Sequence, residues 1–236
     1  IVTLMTLGAS PEALVLGYLR NQDFIQSIED VSAIQVDWDV EAAAVVTNTP
    51  AEDMAAKLQQ RTVTSGCGQG TMFGNMMDKL NEVTIKPAQL KQSTVYGLLR
   101  SLNQHNETYK SAGGVHGCAI CEGDKVVAFV EDVGRHNAVD TLAGQMWLEG
   151  ISPENKIFYT TGRLTSEMVI KVAQMGISVL LSRSGVTQMG LELARTLGIT
   201  MLARAKGKHF LVFSGADTLL YDAQPSDANR SLDTTQ

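Results

Sequence analysis

From Ile157 to Phe213 the chain repeats one pattern, a short apolar run followed by an amphipathic stretch, and this constrains its fold more than any other feature. The apolar runs 157–161, 178–182, 200–203 and 210–213 have strand length. Between them Met168, Val169, Val172 and Ala173, then Met189, Leu193, Ala194 and Leu197, recur at helical spacing over about 165–175 and 187–197. Strands alternating with helices predict an α/β class with a mixed, largely parallel sheet, the helical stripes covering its face.

Upstream, Ser10-Pro11-Glu12 opens a predicted helix over about 11–21. Ile34, Val36, Trp38 and Val40 alternate with polar residues as in a half-buried strand, which residues 42–47 continue. A helix over about 50–60 then leads into the glycine-rich loop Thr64–Gly70. A boundary falls near Lys86-Pro87, where proline opens a helix carrying Leu90, Leu98, Leu99 and Leu102. A break at Gly113-Gly114, a strand through Ala119, a turn at Glu122-Gly123-Asp124, a strand over 126–130 and a helix from Gly134 follow. The expected organisation is a smaller N-terminal α+β part over 1–86, an α/β domain over 87–223 and a disordered polar tail over 224–236.

The 25 acidic and 19 basic side chains give a formal charge of -6, which argues against nucleic acid or an anionic membrane as partner. The apolar runs are far shorter than the roughly 20 residues a bilayer needs. Three cysteines, Cys67, Cys118 and Cys121, are too few and odd in number for a secreted disulfide framework, and no secretory leader is visible, so a reducing cytoplasm is expected.

Cys67 lies in Ser65-Gly66-Cys67-Gly68-Gln69-Gly70. Flanking glycines leave its thiol uncrowded and let backbone N–H groups approach an anion, as a nucleophile met first by a donor and then by an acceptor requires. The plain alternative is a spectator thiol. Gly68, Gly70 and Gly74 do not have dinucleotide-fingerprint spacing. His116-x-Cys118-x-x-Cys121 invites a metal or redox reading, but along a strand Cys121 points away from the other two, and three residues span roughly 10 Å. Ordinary buried cysteines and no metal are expected. Arg135-His136 opens a helix, and the loops Thr160–Glu167 and Ser182–Thr187 follow strand ends. Loops at the carboxyl ends of parallel strands bind ligands, helix N-termini there favour phosphate, and Arg163 and Arg183 add charge-assisted donors. Helix capping is the plainer role for the serines and threonines. Arg204-Ala205-Lys206-Gly207-Lys208-His209 gathers three cations and a histidine around a glycine, as either a solvated turn or a pyrophosphate contact.

The strings Glu131-Asp-Val-Gly-Arg-His-Asn-Ala-Val-Asp140, Thr161-Gly-Arg163 with Glu167-Met168, and Gly113-Gly-Val-His116 together resemble the formate dehydrogenase accessory sulfurtransferase family over about residues 4–215. The resemblance implies a cytidine-deaminase-like three-layer core and a homodimer. It implies that a cysteine desulfurase loads a persulfide on Cys67, and that the sulfur passes to the bis(molybdopterin guanine dinucleotide) cofactor of molybdenum for a formate dehydrogenase client. By the same resemblance Arg204 through His209 hold that cofactor, and GDP-like nucleotides would mimic it. Gly70 stands where the family usually has a second loop cysteine, Thr141 where a lysine is common. Family members usually carry several dozen residues ahead of the stretch matching Leu4, so a shortened N-terminus is expected. Nucleobase deamination is excluded on chemistry, because Cys118 stands where a deaminase needs its glutamate. The leading expectation is a sulfur carrier in which Arg135, His136, Arg163, Arg183 and residues 204–209 hold the cofactor. The alternative is a cofactor-binding chaperone without sulfur transfer, and a regulatory nucleotide-binding module is a third.

Overall fold

The computed structural model describes residues 2–48, 62–63, 70–71 and 85–225. The predicted periodicity from residue 157 onward resolves into strand β8 (Lys156–Thr160), helix α5 (Ser166–Gln174), strand β9 (Val179–Ser182), helix α6 (Gln188–Thr196) and strands β10 (Thr200–Lys206) and β11 (His209–Ser214). Ahead of them stand α2 (Gln92–His105), the short α3 (Glu107–Ala112), β6 (His116–Glu122), β7 (Lys125–Asp132) and α4 (Arg135–Leu148).

One sheet organises these elements in the order β11-β10-β9-β8-β6-β7. Its middle strands β8, β9 and β10 are parallel, as their helical crossovers require. The expected predominance of parallel pairing fails at the edges: β6 runs antiparallel to both β8 and β7, and β11 antiparallel to β10. Gly123 at φ 58° and Gly207 at φ 61° turn the chain straight back there, so each edge closes as a hairpin without a crossover.

Strand alternation splits the core into two layers. Cys118, Ile120, Phe158, Leu180 and Met201 face α4, α5 and α6, while Ala119, Cys121, Tyr159, Leu181 and Leu202 face Val95, Leu98, Leu99 and Leu102 of α2. Helices on both faces give three layers, each fully buried Leu, Val or Phe contributing about 1.5–3 kcal/mol. Leu90 lies in the two-residue strand β5 (Leu90–Lys91), paired with β12 (Leu219–Leu220), not in the helix expected from Pro87.

Helix α1 (Pro11–Asn21) starts with proline in its first turn and ends as expected. It crosses α4 backbone to backbone: a Cβ on Gly17 would collide with the Asp140 carbonyl oxygen, and one on Gly144 with that of Ala13. Strands β1 (Val31–Asp37) and β2 (Ala42–Thr47) form an antiparallel hairpin rather than one continuous strand, with Glu41 in its turn at φ 51°. Ile34 and Val45 pack with Leu16, Leu19, Phe24 and Ile25 beside α1. The pair β3 (Thr62–Val63) and β4 (Gly70–Thr71) is antiparallel, with Val63 opposite Gly70. Residues 64–69, Cys67 among them, join these two strands but lie outside the described residues, as do the expected helix over 50–60 and most of the polar tail.

Where the three helices meet, Lys171 of α5 and Asp140 of α4 form an ion pair at 2.8 Å with no exposure on either side. Asn21 of α1 donates to the second carboxylate oxygen at 2.7 Å. Burial pushes the Asp140 carboxyl up, while Lys171 and the Asn21 amide oppose the shift. Removing one partner of such a pair strands a charge in the core, so Asp140→Ala should lower unfolding free energy by about 3–5 kcal/mol in a denaturant titration. A loss under about 1 kcal/mol would contradict this account.

Candidate functional site

The carboxyl ends of β8, β9 and β10 share one edge of the sheet, and their loops lock onto one another. Thr161 N donates to Gly117 O at 2.9 Å, Arg183 N to Thr160 O at 3.2 Å and Arg204 N to Ser184 O at 2.9 Å. Ser182 Oγ donates to Gly162 O at 2.7 Å, and Gly162 N donates to Thr160 Oγ1 at 3.0 Å. These serines and threonines brace the loops, while the expected helix capping is made by Thr187, whose Oγ1 accepts from Gly190 N at 3.2 Å, and not by Thr165. The bracing bonds tie together the loops and strand end that carry Arg163, Arg183 and Arg204.

The sequence candidates divide into two groups. On the α2 side, Arg183, Ala205, Lys206 and Gly207 line a cavity of about 300 Å³ together with Leu99, Arg100, Asn103, Asn106 and Tyr159. The Arg183 guanidinium lies 5.7 Å above the Tyr109 ring, and it opposes the upward push that burial gives the Tyr159 hydroxyl. Arg204 adopts φ 51°, a left-handed conformation uncommon for a side-chain-bearing residue, where the β10–β11 register slips. The basic segment is thus two strand ends closed by a tight turn at Gly207-Lys208. Lys208 and Arg100 line an adjoining cavity of about 250 Å³ with Ser93 and Tyr96, and His209 is exposed on β11. Arg100, Tyr109 and Tyr159 were not singled out in the sequence. An arginine interrupting the Leu98-Leu99-Leu102 stripe was the one available signal for Arg100.

The second group surrounds the N-termini of α4 and α5. Arg135 and Arg163 both act on His116, which burial and these cations push below the usual imidazole range. The Arg135 side chain lies against Gly162, where a Cβ would meet its Cδ at 2.9 Å. His136 is buried, with Nδ1 3.2 Å from Glu167 Oε1. Burial first, then Lys171 and Arg135, drive its pKa far down and keep the ring neutral.

The decapeptide Glu131–Asp140 is mostly scaffolding. Glu131 accepts from Thr108 N at 3.0 Å and Tyr109 N at 2.7 Å, capping α3. Asp132 accepts from Thr6, Leu7, Gly134 and Asn137, and Asn137 also donates to Met5 O at 2.6 Å. These bonds fasten the N-terminal segment to the start of α4, which leaves Arg135 and His136 for the site.

Cys118 and Cys121 are buried on opposite faces of β6, and burial pushes each thiol up to about 12. Cys118 Sγ donates to Thr160 Oγ1 at 3.2 Å. Among the described residues no cluster of three or more His, Cys, Asp or Glu could hold a metal, and no helix is long and apolar enough to cross a membrane.

The FdhD/NarQ family model matches residues 1–220. The chain belongs to the FdhD/NarQ family. It is 31% identical to sulfur carrier protein FdhD of Geobacillus kaustophilus over 218 residues, covering 90% of this chain and 81% of the relative. It is 29% identical to the Bacillus pumilus sulfur carrier protein FdhD over 214 residues, covering 89% and 82%. The crystal structure of a formate dehydrogenase accessory protein from Desulfotalea psychrophila superposes with a TM-score of 0.72 at 28% identity, over 91% of this chain and 82% of that one. The family resemblance carried by the decapeptide and the smaller motifs is borne out, and it ties the chain to a sulfur-carrier family serving formate dehydrogenase.

Two expectations follow from this geometry. With Cys67 replaced by alanine, iodoacetamide at neutral pH should leave Cys118 and Cys121 unmodified until denaturant is added, because a buried thiol held near 12 supplies almost no thiolate; mass spectrometry of the native protein reads this. His136 has a folded pKa depressed below its unfolded value of about 6.5, so the unfolded chain binds more protons between the two. Its contribution to stability is therefore complete above about pH 6.5 and falls away as pH drops below it. His136→Asn should flatten that part of the stability–pH curve measured by urea unfolding.

Proposed function

We propose that this protein is a sulfur carrier that takes a sulfane sulfur onto Cys67 from a cysteine desulfurase and delivers it to a molybdenum bis(molybdopterin guanine dinucleotide) substrate for formate dehydrogenase. The loading step is a thiol exchange. The Cys67 thiolate attacks the outer sulfur of the donor's persulfide, the donor's S–S bond breaks, and the donor cysteine leaves as thiolate, so that Cys67 carries the S–SH group. The proposed setting is a cytoplasmic homodimer with a cytidine-deaminase-like core.

The observation that carries the substrate half of this reading is the cavity between α2 and the β10–β11 turn. In a chain of net charge -6, Arg100, Arg183 and Lys206 converge on its wall, and Lys208 continues the charge into the neighbouring cavity. Its 300 Å³ falls at the small end of ligand pockets. Arginine forks suit phosphate oxygens, and the Tyr109 ring lies 5.7 Å from the Arg183 guanidinium. The carrier half rests on family membership and on Cys67. The loss of a second loop cysteine at Gly70 leaves this loading step intact, since it uses one thiol.

Incubation with a cysteine desulfurase and free cysteine should add one sulfur atom to the wild-type protein, read by intact mass under non-reducing conditions, and none to Cys67→Ala. Equal masses before and after would end the carrier reading. If Cys67→Ala restored formate dehydrogenase activity as well as wild type, the function would be that of a cofactor chaperone instead.

A further inference from the structure

Helix α2 is capped from the far end of the chain. Lys91 stands at its N-cap, and an ammonium offers no acceptor to the first-turn N–H groups. Asp222 supplies one instead: Ser93 N donates to its Oδ1 at 2.9 Å and Ser93 Oγ to its Oδ2 at 2.7 Å. These two bonds hold the Asp222 carboxyl below the usual carboxylate range, so at neutral pH the cap is an anion on the N-terminus of a 14-residue helix.

The cap fixes where the next residues lie. Upstream of it, Leu219 is buried in the core beneath α2, and Leu219 and Leu220 pair with Leu90 and Lys91. Downstream, Ala223 and Gln224 line the cavity of about 250 Å³ together with Arg100, Lys208, Ser93 and Tyr96. Arg100 also lines the larger cavity with Arg183 and Lys206, so the two cavities flank one guanidinium, and a fork of five N–H groups can serve an anion that extends past it. The FdhD/NarQ family match stops at residue 220, ahead of the cap and of the wall it positions.

We propose that Asp222, Ala223 and Gln224 belong to the ligand site. The Asp222 cap seats Ala223 and Gln224 beside Arg100 and Lys208, and the cavity so completed takes the diphosphate of a nucleotide whose remainder occupies the larger cavity across Arg100. This rests on the cofactor half of the proposed function and adds to it a segment of chain that shapes the pocket. Asp222 is a positioning residue: its carboxylate is spent on Ser93, and it acts through the two residues that follow it.

Calorimetric titration of the full chain with GDP tests this. Asp222→Ala should raise the Kd for GDP about three- to tenfold, because the seated segment then makes up a smaller fraction of the population. Asp222→Asn, whose side-chain oxygen still accepts from Ser93, should bind within about twofold of wild type. Hydrogen exchange followed by NMR should find the Ser93 amide fast in Asp222→Ala and slow in Asp222→Asn, and thermal melts followed by circular dichroism should show both variants folded. Equal GDP affinity in wild type and Asp222→Ala would overturn the inference, as would an unchanged Ser93 amide. Tighter binding by both variants would also overturn it, since the carboxylate would then be an obstacle to the anion. A wild type that binds no GDP would bring down the cofactor reading and this inference together, whereas equal affinities would leave the cofactor reading standing.

Discussion

A lysine with no solvent exposure can exist in this fold only because Asp140 stands 2.8 Å from it, and that pairing dictates how three helices meet. The cost of taking both charges out of water is recovered only with close geometry and additional hydrogen bonds. Asn21 supplies one from α1, and Glu167 faces Lys171 from one turn away. For Asn21 to reach Asp140, α1 has to lie directly on α4, which Gly17 and Gly144 permit by carrying no side chain at the crossing. Arg20 completes the seam, donating to Ala143 O at 2.8 Å and covering the Trp147 ring at 4.5 Å. The N-terminal helix is therefore anchored to the central core by a polar contact that tolerates little displacement.

The same seam explains why the segment most diagnostic of the family is chiefly architectural. Glu131 caps one helix, Asp132 and Asn137 hold the chain around Met5–Gly8, and Asp140 neutralises Lys171. Each of these carboxylates or amides satisfies backbone or charged groups that burial would otherwise leave unpaired. Arg135 and His136 stand at the start of α4, Arg135 against Gly162 and His136 facing Glu167. Recognition and scaffold are thus built from one decapeptide.

The β8-to-β11 half of the fold was legible because its strands and helices are long enough for a period of 2 or 3.6 to show. The errors share a cause in short elements. β5 is two residues long and pairs with β12 about 130 residues away, a contact that no local pattern encodes. The β1–β2 turn uses Glu41 at positive φ in place of glycine or asparagine, so Trp38 and Val40 read as strand. The burial of Lys171 has no local signal, since it depends on a partner 31 residues earlier in the chain. The positions of Arg163 and Arg183 in loops after strand ends were legible, as was the turn between the two strands that carry residues 204–209. Arg100 and Tyr109 were not, since they reach the edge from α2 and α3, which only the tertiary fold brings there.

Two groups of side chains stand along the sheet edge. The α2 side offers a cavity of about 300 Å³ walled by guanidinium and ammonium groups. The α4–α5 side holds the buried His136 imidazole beside Glu167 at two helix N-termini. The loops between them are cross-bonded strand end to strand end, from Thr161 on Gly117 to Arg204 on Ser184, so neither side can shift without disturbing the other. On the proposed reading a rigid edge of this kind would hold a bound polyanion in one orientation, and pre-set geometry lowers the entropic cost of a reaction on it. Overall negative charge sharpens the contrast, because Arg100, Arg183, Lys206 and Lys208 gather on one edge of an otherwise acidic protein.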